Sequence, residues 1–313
     1  MGHSRVPEED RPSTVSTPEP GAGPGAAPGR PDPPALLPAL RHLDRKVSEA
    51  VRRFDLIHDG DRILVAASGG KDSWCLLEVL AARRRWAREK YELLAGHVAH
   101  PSCSSPALER ALGDRCDALG VPLLVVPSQE RRAGHEHEHG HEHQHEHGHE
   151  HGHEHGHEHE PRRTSKPTSA CFHCAWDRRR LLFQTAAAQG CNLVALGHHL
   201  DDLAETVLLN LFFRGELSTM YPRQTMFDGA ITIVRPLALV EEKALVRVAG
   251  LIRPDLPGCL CADAASSQRR RMKELIRDLR RTCPGLRQNL LRPVLAGWDA
   301  AGGGHAPRGH RTR

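Results

Sequence analysis

The 313-residue sequence has no uninterrupted apolar run near the ~18–20 residues that a membrane-spanning helix requires. Its opening, MGHSRVPEED, lacks a basic start followed by an apolar core, so no secretory signal is expected and an intracellular protein is the default. Aromatic residues make up only 4% of the chain, which argues against extensive base-stacking surfaces. The nine cysteines are odd in number and unevenly spaced, which argues against a disulfide scaffold. Metal or catalytic use of some of them fits a reducing compartment better.

Three stretches lack the means to build a core. Residues 1–35, with PEPGAGPGAAPGRPDPP, are too poor in apolar side chains to offset their ordering entropy and read as a disordered tail. A shorter tail of the same kind is expected over 299–313. Between them, residues 134–160 read GHEHEHGHEHQHEHGHEHGHEHGHEHE, with histidine at every second position from His135 to His159. This His-rich segment is expected to be a solvated loop inserted into one folded domain spanning 36–298. The insert carries eight Glu and no Lys or Arg, so the formal net charge of +4 becomes +12 without it and +14 once the N-terminal tail is also set aside. The 251 residues that remain are strongly basic, and a polyanionic partner is expected.

Strand and helix patterns alternate along that core. Leu36, Leu37, Leu40, Leu43, Val47, Val51 and Phe54 fit an amphipathic helix. RILVAA (62–67) reads as a buried strand, 72–88 as a helix, 93–98 as a strand, 106–119 as a helix and 121–126 as a strand. After the insert come a helix at 175–189, a strand at 193–196 and a helix at 201–213. The expected fold is α/β: a doubly wound, Rossmann-like parallel sheet covered on both faces. Ligands of such sheets bind beyond the carboxyl ends of the strands.

Two motifs fall there. Ser68-Gly69-Gly70-Lys71-Asp72-Ser73 follows the first strand and opens a helix. The glycines permit a sharp turn and close ligand approach, the helix start offers free N–H groups, and Lys71 adds a positive charge. The loop is not a Walker A motif, because Val65 stands where the first glycine should be and Asp72 follows the lysine. The second motif, Gly197-His198-His199-Leu200-Asp201-Asp202, follows the strand LVAL. Its paired carboxylates suit a Mg²⁺ bridging triphosphate oxygens, and Asp72 is placed to join them. Helix capping by Asp201 and dipole compensation by Asp202 are compatible second roles.

Cys171-Phe172-His173-Cys174 puts two thiols at CxxC spacing, and Cys259 and Cys261 precede the basic stretch at Arg269–Arg271. Three thiolates can hold an iron–sulfur cluster with one iron open. A zinc site using Cys171, Cys174, Cys261 and either His173 or Cys259, or a dithiol pair, are the rival readings. Cys75, Cys116 and Cys191 sit in apolar contexts and are expected to be small core residues.

SGGKDS resembles the PP-loop of ATP pyrophosphatases, enzymes that split ATP between the α- and β-phosphates. Taken with CxxC, GHHLDDLAETVLLNLFFRGELSTMYP, Arg235-Pro236-Leu237 and a cysteine before SQRRR, the sequence resembles the tRNA 2-thiocytidine biosynthesis family. The stretch GHVAHPSCSS departs from the family's Asn-Leu-Asp-like segment, and the His/Glu insert has no family counterpart. The resemblance implies an adenine-nucleotide alpha-hydrolase domain, ATP and Mg²⁺, and a [4Fe–4S] cluster on Cys171, Cys174 and Cys261. It also implies replacement of the C2 oxygen of cytidine by sulfur, at position 32 of tRNA. Ser68 to Ser73 are then the ATP loop, and Lys71, Asp72, Asp201 and Asp202 the catalytic set, with Asp201 and Asp202 candidate Mg²⁺ ligands. The expected partners are tRNA and a sulfur donor such as a cysteine desulfurase, with a homodimer allowed, no membrane, and a cytoplasmic location.

RNA contacts are expected among Arg83–Arg85, Arg162-Arg163, Arg178–Arg180, Arg269–Arg271 and Arg280-Arg281. Other readings stay open: a thiouridine- or lysidine-forming PP-loop enzyme, or a metal-storage protein built on the histidine loop, which leaves both loop motifs without a task.

Overall fold

The first helix, α1 (Leu36–Phe54), buries Leu36, Leu40, Leu43, Val47, Ala50, Val51 and Phe54 along one stripe. Leu37, counted in that stripe from the sequence, is instead exposed, because it sits a quarter-turn off the axis of burial. The computed structural model describes residues 36–100, 104–128, 170–252 and 268–300, all of which belong to one compact unit, Asp32–Arg313. The N-terminal tail, the His-rich insert and residues 301–313, as well as Cys103, Cys259, Cys261 and Arg162-Arg163, lie outside the described residues, while residues 299–300, expected to begin the C-terminal tail, close the last helix instead.

The strands are β1 (Arg62–Ala66), β2 (Glu92–Ala99), β3 (Leu123–Pro127), β4 (Leu193–Ala195), β5 (Arg223–Met226) and β6 (Ile231–Val234). They form one sheet in the order β3-β2-β1-β4-β6-β5. Four of the five pairings are parallel, and β5 joins β6 antiparallel at the edge. The β5–β6 hairpin was not legible in the sequence. Its strands are four residues long, and the connection is a single 3-10 turn at Phe227–Gly229, too short for a helical crossover.

Successive strand residues pack to opposite sides, as a doubly covered sheet requires. Ile63, Val65, Leu93, Ala95, Leu193 and Ala195 join a large core with α1, α2 (Lys71–Arg83), α3 (Pro106–Leu119) and α6 (Glu242–Ile252). Leu64, Leu94, Val98 and Val194 face Leu182 and Ala186 of α4 (Ala170–Ala188). A third cluster joins Ala204 and Leu208 of α5 (Leu200–Arg214) to Met272 and Ile276 of α7 (Gln268–Leu279). Leu291, Val294 and Leu295 of α8 (Leu286–Ala300) complete the large core.

Helix α2 stops at Arg83 instead of continuing to 88. Arg83 turns inward to pair with Asp44 at 3.0 Å and Glu89 at 2.9 Å, and the Trp86 indole N–H donates to Asp44 at 2.7 Å. These bonds pin the turn that follows and remove Arg83 from the set of candidate RNA contacts. Among the described residues, no helix is long and apolar enough to cross a membrane.

Candidate active site

The strand order reverses direction between β1 and β4, so the loops leaving those two strands border one crevice. After β1 the chain turns at Gly69, whose φ of 82° lies in the left-handed region. A side chain there would also meet Leu108 of α3 at 2.6 Å. The Gly69 carbonyl accepts from the buried Trp74 indole at 3.2 Å, and the neighbouring Ala67 carbonyl accepts from His97 Nδ1 at 2.7 Å. His97 belongs to the GHVAHPSCSS stretch, so that segment braces the loop from behind.

Gly70 is the N-cap of α2 and has no side chain to satisfy the helix start. The Ser73 hydroxyl donates to the Gly70 carbonyl at 2.9 Å, and the Ser68 hydroxyl donates to Ser73 Oγ at 3.1 Å. Lys71, Asp72 and Ser73 therefore present first-turn N–H groups without a capping side chain, at the positive end of the helix dipole. Lys71 Nζ lies 3.0 Å from Asp72 and 3.1 Å from Glu242. Burial works against the Lys71 charge, but these two carboxylates outweigh it and hold its pKa above the usual lysine value. Glu242 also pairs with Lys273 at 2.8 Å. Burial opposes the Glu242 charge too, yet the Lys273 and Lys71 ammonium groups win and bring its pKa down to about 2.

After β4, Gly197 brings the second loop against the first. A Cβ at Gly197 would stand 3.2 Å from the backbone carbon of Asp72 and 3.2 Å from the nitrogen of Ser73. The loop then opens α5, with His199 as N-cap. The His199 backbone N–H donates to Asp202 Oδ2 at 3.0 Å, and Asp202 Oδ1 pairs with Arg269 of α7 at 3.1 Å. Asp201 is buried. Its Oδ2 accepts the N–H of Glu242 at 2.8 Å, and its Oδ1 lies 2.6 Å from Arg287 of α8. Both Asp201 oxygens are thus taken up in joining α5 to α6 and α8. Asp72 differs: its Oδ1 is buried without a hydrogen-bond partner among the described residues and lies 3.8 Å from His199 Nε2.

His198 follows Gly197 on the same edge. Arg235, 5% exposed after β6, donates from Nε to His198 Nδ1 at 3.3 Å and from Nη1 to the Tyr221 carbonyl. Because a guanidinium only donates, His198 Nδ1 is an acceptor and the ring proton sits on Nε2. Burial, reinforced by the Arg235 charge, drives the His198 pKa down to about 3, so the imidazole is neutral around pH 7.

The structure thus gathers Ser68 to Ser73 and Asp201-Asp202 at one edge, and adds three residues that single-sequence reading did not assign to the site. Glu242 and Arg287 come from α6 and α8, far along the chain and without a motif. Arg269, counted among the RNA contacts, instead bridges Asp202 and Glu205, the latter at 3.0 Å. Cys171 and Cys174 fall in the opening residues of α4. Cys75, Cys116 and Cys191 are buried, as expected for core thiols. Burial lifts the Cys75 pKa to about 12.

A family profile described as a PP-loop domain matches residues 173–253. A tRNA-cytidine(32) 2-sulfurtransferase of Geobacter metallireducens is 40% identical over 256 residues, covering 81% of this chain and 89% of that protein. Its counterpart in Geobacter sulfurreducens is 38% identical with the same coverage. The chain belongs to the tRNA-cytidine(32) 2-sulfurtransferase family. Among solved structures, the U34-tRNA thiolase NcsA from Methanococcus maripaludis, with its [4Fe–4S] cluster, superposes with a TM-score of 0.59. At 19% identity, with 84% of this chain and 78% of that one covered, this likeness speaks for the fold. The matched profile takes in the second loop and α5 and begins at His173, after the α2 start, whereas the match to the Geobacter proteins extends over 256 residues.

Proposed function

We propose that this protein is an ATP-dependent tRNA-cytidine sulfurtransferase that converts cytidine, at position 32, to 2-thiocytidine. The observation that carries the reading is the uncapped start of α2, with Lys71 held charged beside it, in a chain that matches such enzymes over most of their length.

The chemistry sets the requirements. The C2 oxygen of cytidine is a poor leaving group. Its attack on the α-phosphorus of ATP expels pyrophosphate and leaves the oxygen as part of an adenylyl ester. A sulfur nucleophile then adds at C2, and AMP departs with the original oxygen. Charge moves onto phosphate oxygens in the first step, and preorganised donors aimed at those oxygens lower its barrier. The N–H groups of Lys71, Asp72 and Ser73 and the Lys71 ammonium supply them. Glu242 keeps Lys71 protonated and directed, and Gly197 allows the second loop close enough to narrow the crevice.

Asp72 Oδ1, buried and unpartnered, suits the oxygen ligation of Mg²⁺, which when bound neutralises charge on the triphosphate. Asp202 faces the same His199 Nε2, at 3.4 Å against 3.8 Å for Asp72, whereas Asp201 serves as a positioning residue through Arg287 and Glu242. Cys171, Cys174 and Cys261 are the proposed holders of a [4Fe–4S] cluster, which supplies an open iron for sulfur delivery. The soft thiolate set and the CxxC spacing of the first two fit that group. A cysteine desulfurase is the sulfur donor in this reading, the chain acts in the cytoplasm, and a homodimer is compatible with it.

Nucleoside mass spectrometry of tRNA from cells lacking the gene tests the proposal. 2-Thiocytidine should vanish, return with the wild-type chain and stay absent with Cys171→Ala. Its persistence in the deletion strain would reject the assignment.

A further inference from the structure

Seven consecutive residues, 211–217, are exposed at the far end of α5, and they include Leu211, Phe212, Phe213 and Leu217. Phe212 and Phe213 are 59% and 52% exposed, although the whole chain has only six phenylalanines. This is not a frayed helix end. Gly215 closes the helix in the left-handed conformation at φ 68°, and its N–H and that of Glu216 bond to the carbonyls of Leu211 and Asn210, both at 3.2 Å. The Asn210 amide donates to the carbonyl and hydroxyl of Ser218 at 3.1 and 3.0 Å, and the Thr219 hydroxyl donates to the Leu203 carbonyl at 2.7 Å. The rings are therefore presented to solvent from a fixed platform, the mark of a docking face.

The surrounding charge narrows the occupant. Arg214 lies within the exposed run. Helix α7 follows α5 in the same direction, with Arg269 on Asp202 and Glu205 near the start and Met272 and Ile276 beside Ala204 and Leu208 further along. That register carries Arg277, Arg280 and Arg281 toward the platform end, against the acidic Glu216 and Asp278. A second copy docked about a two-fold axis would bring this net positive rim against itself. A polyanion with planar bases matches both the rim and the rings.

We propose that the 211–217 platform docks unpaired nucleotides of the RNA substrate, with bases stacked on Phe212 and Phe213 and a phosphate on Arg214. The proposal rests on the reading that the substrate is tRNA. The 15 residues of α5 span about 22 Å, so the platform receives nucleotides a few positions from the base at the α5 start. Recognition of the loop around the target would then be divided between the two ends of one helix.

The test uses the full chain and unmodified tRNA, with binding followed by fluorescence anisotropy across a salt series. Phe212→Ala with Phe213→Ala should weaken binding about 10- to 100-fold with an unchanged salt slope and an unchanged melting temperature. KM for tRNA should rise by a similar factor while kcat at saturating tRNA stays near wild type. Tyrosine at both positions should restore binding, and Arg214→Ala should lower the salt slope by about one. Wild-type affinity in the double alanine variant would overturn the proposal. So would a dimer-to-monomer shift in sedimentation with tRNA affinity per chain unchanged, which would give the platform to a second copy. A wild-type chain that neither binds nor thiolates tRNA would instead reject the functional reading itself.

Discussion

Residues 67–73 and 196–202 both leave a parallel strand, turn sharply and open a helix at the same sheet edge. They differ in what is left over. The first loop caps α2 with a glycine, leaves the helix start and Lys71 beside the crevice, and keeps one Asp72 oxygen buried near His199 without a hydrogen bond among the described residues. The second spends its carboxylates within the fold: Asp201 on Arg287 and the α6 N–H, Asp202 on Arg269 and the His199 N–H. A helix start that is capped and paired builds structure. One that is left open, with its neighbours held in place, receives a ligand. Two loops with the same local pattern can thus divide binding and bracing between them.

The sharpest way to break this comparison is to disable each loop in turn. Lys71→Met should lower tRNA-dependent release of AMP from ATP about 100- to 1000-fold, as removal of one transition-state donor does, while the melting curve stays within a degree or two. Asp201→Asn should do the reverse in kind. It takes one of two carboxylates from the buried Arg287, which keeps Glu241 at 2.9 Å, and denaturant titration should show a loss of about 1–3 kcal/mol. Replacing Arg287 by Met in that background should recover part of it. A stable Asp201→Asn chain without activity would move Asp201 from bracing to catalysis.

A smaller effect probes the pair next to Gly197. The folded His198 pKa lies below its unfolded value, so between about pH 6.5 and 3 the unfolded chain binds the extra proton and stability falls as the pH drops. The slope from this one group is at most about 1.4 kcal/mol per pH unit. Arg235→Met removes the second cause of the depression after burial. The difference in unfolding free energy between pH 7 and pH 4 should therefore shrink by a few tenths of a kcal/mol, on the order of what linkage gives for a one-unit rise in the folded pKa, as read by urea titration at the two pH values. An unchanged pH difference would detach His198 from Arg235.

The sequence displayed much of this arrangement. Its alternation of apolar runs marked β1 to β4 and α1 to α5, because strand and helix periodicities are local signals. SGGKDS and GHHLDD stood out because glycine, lysine and paired carboxylates at strand ends have few other uses. What it did not display were β5, β6 and the roles of α6 and α8. Four-residue strands have too few positions for a period, and Glu242 and Arg287 belong to no motif.

By itself, then, the sequence determined the α/β sheet and where its two loops leave it, since residue order alone fixes period, turn chemistry and charge. Tertiary structure decided which acidic side chains were consumed. It set Arg287 on Asp201, Arg269 on Asp202 and Glu242 on Lys71, and left an oxygen of Asp72 bare. Whether a carboxylate is free or paired depends on groups brought close by packing, across separations over which one sequence carries no pairing signal.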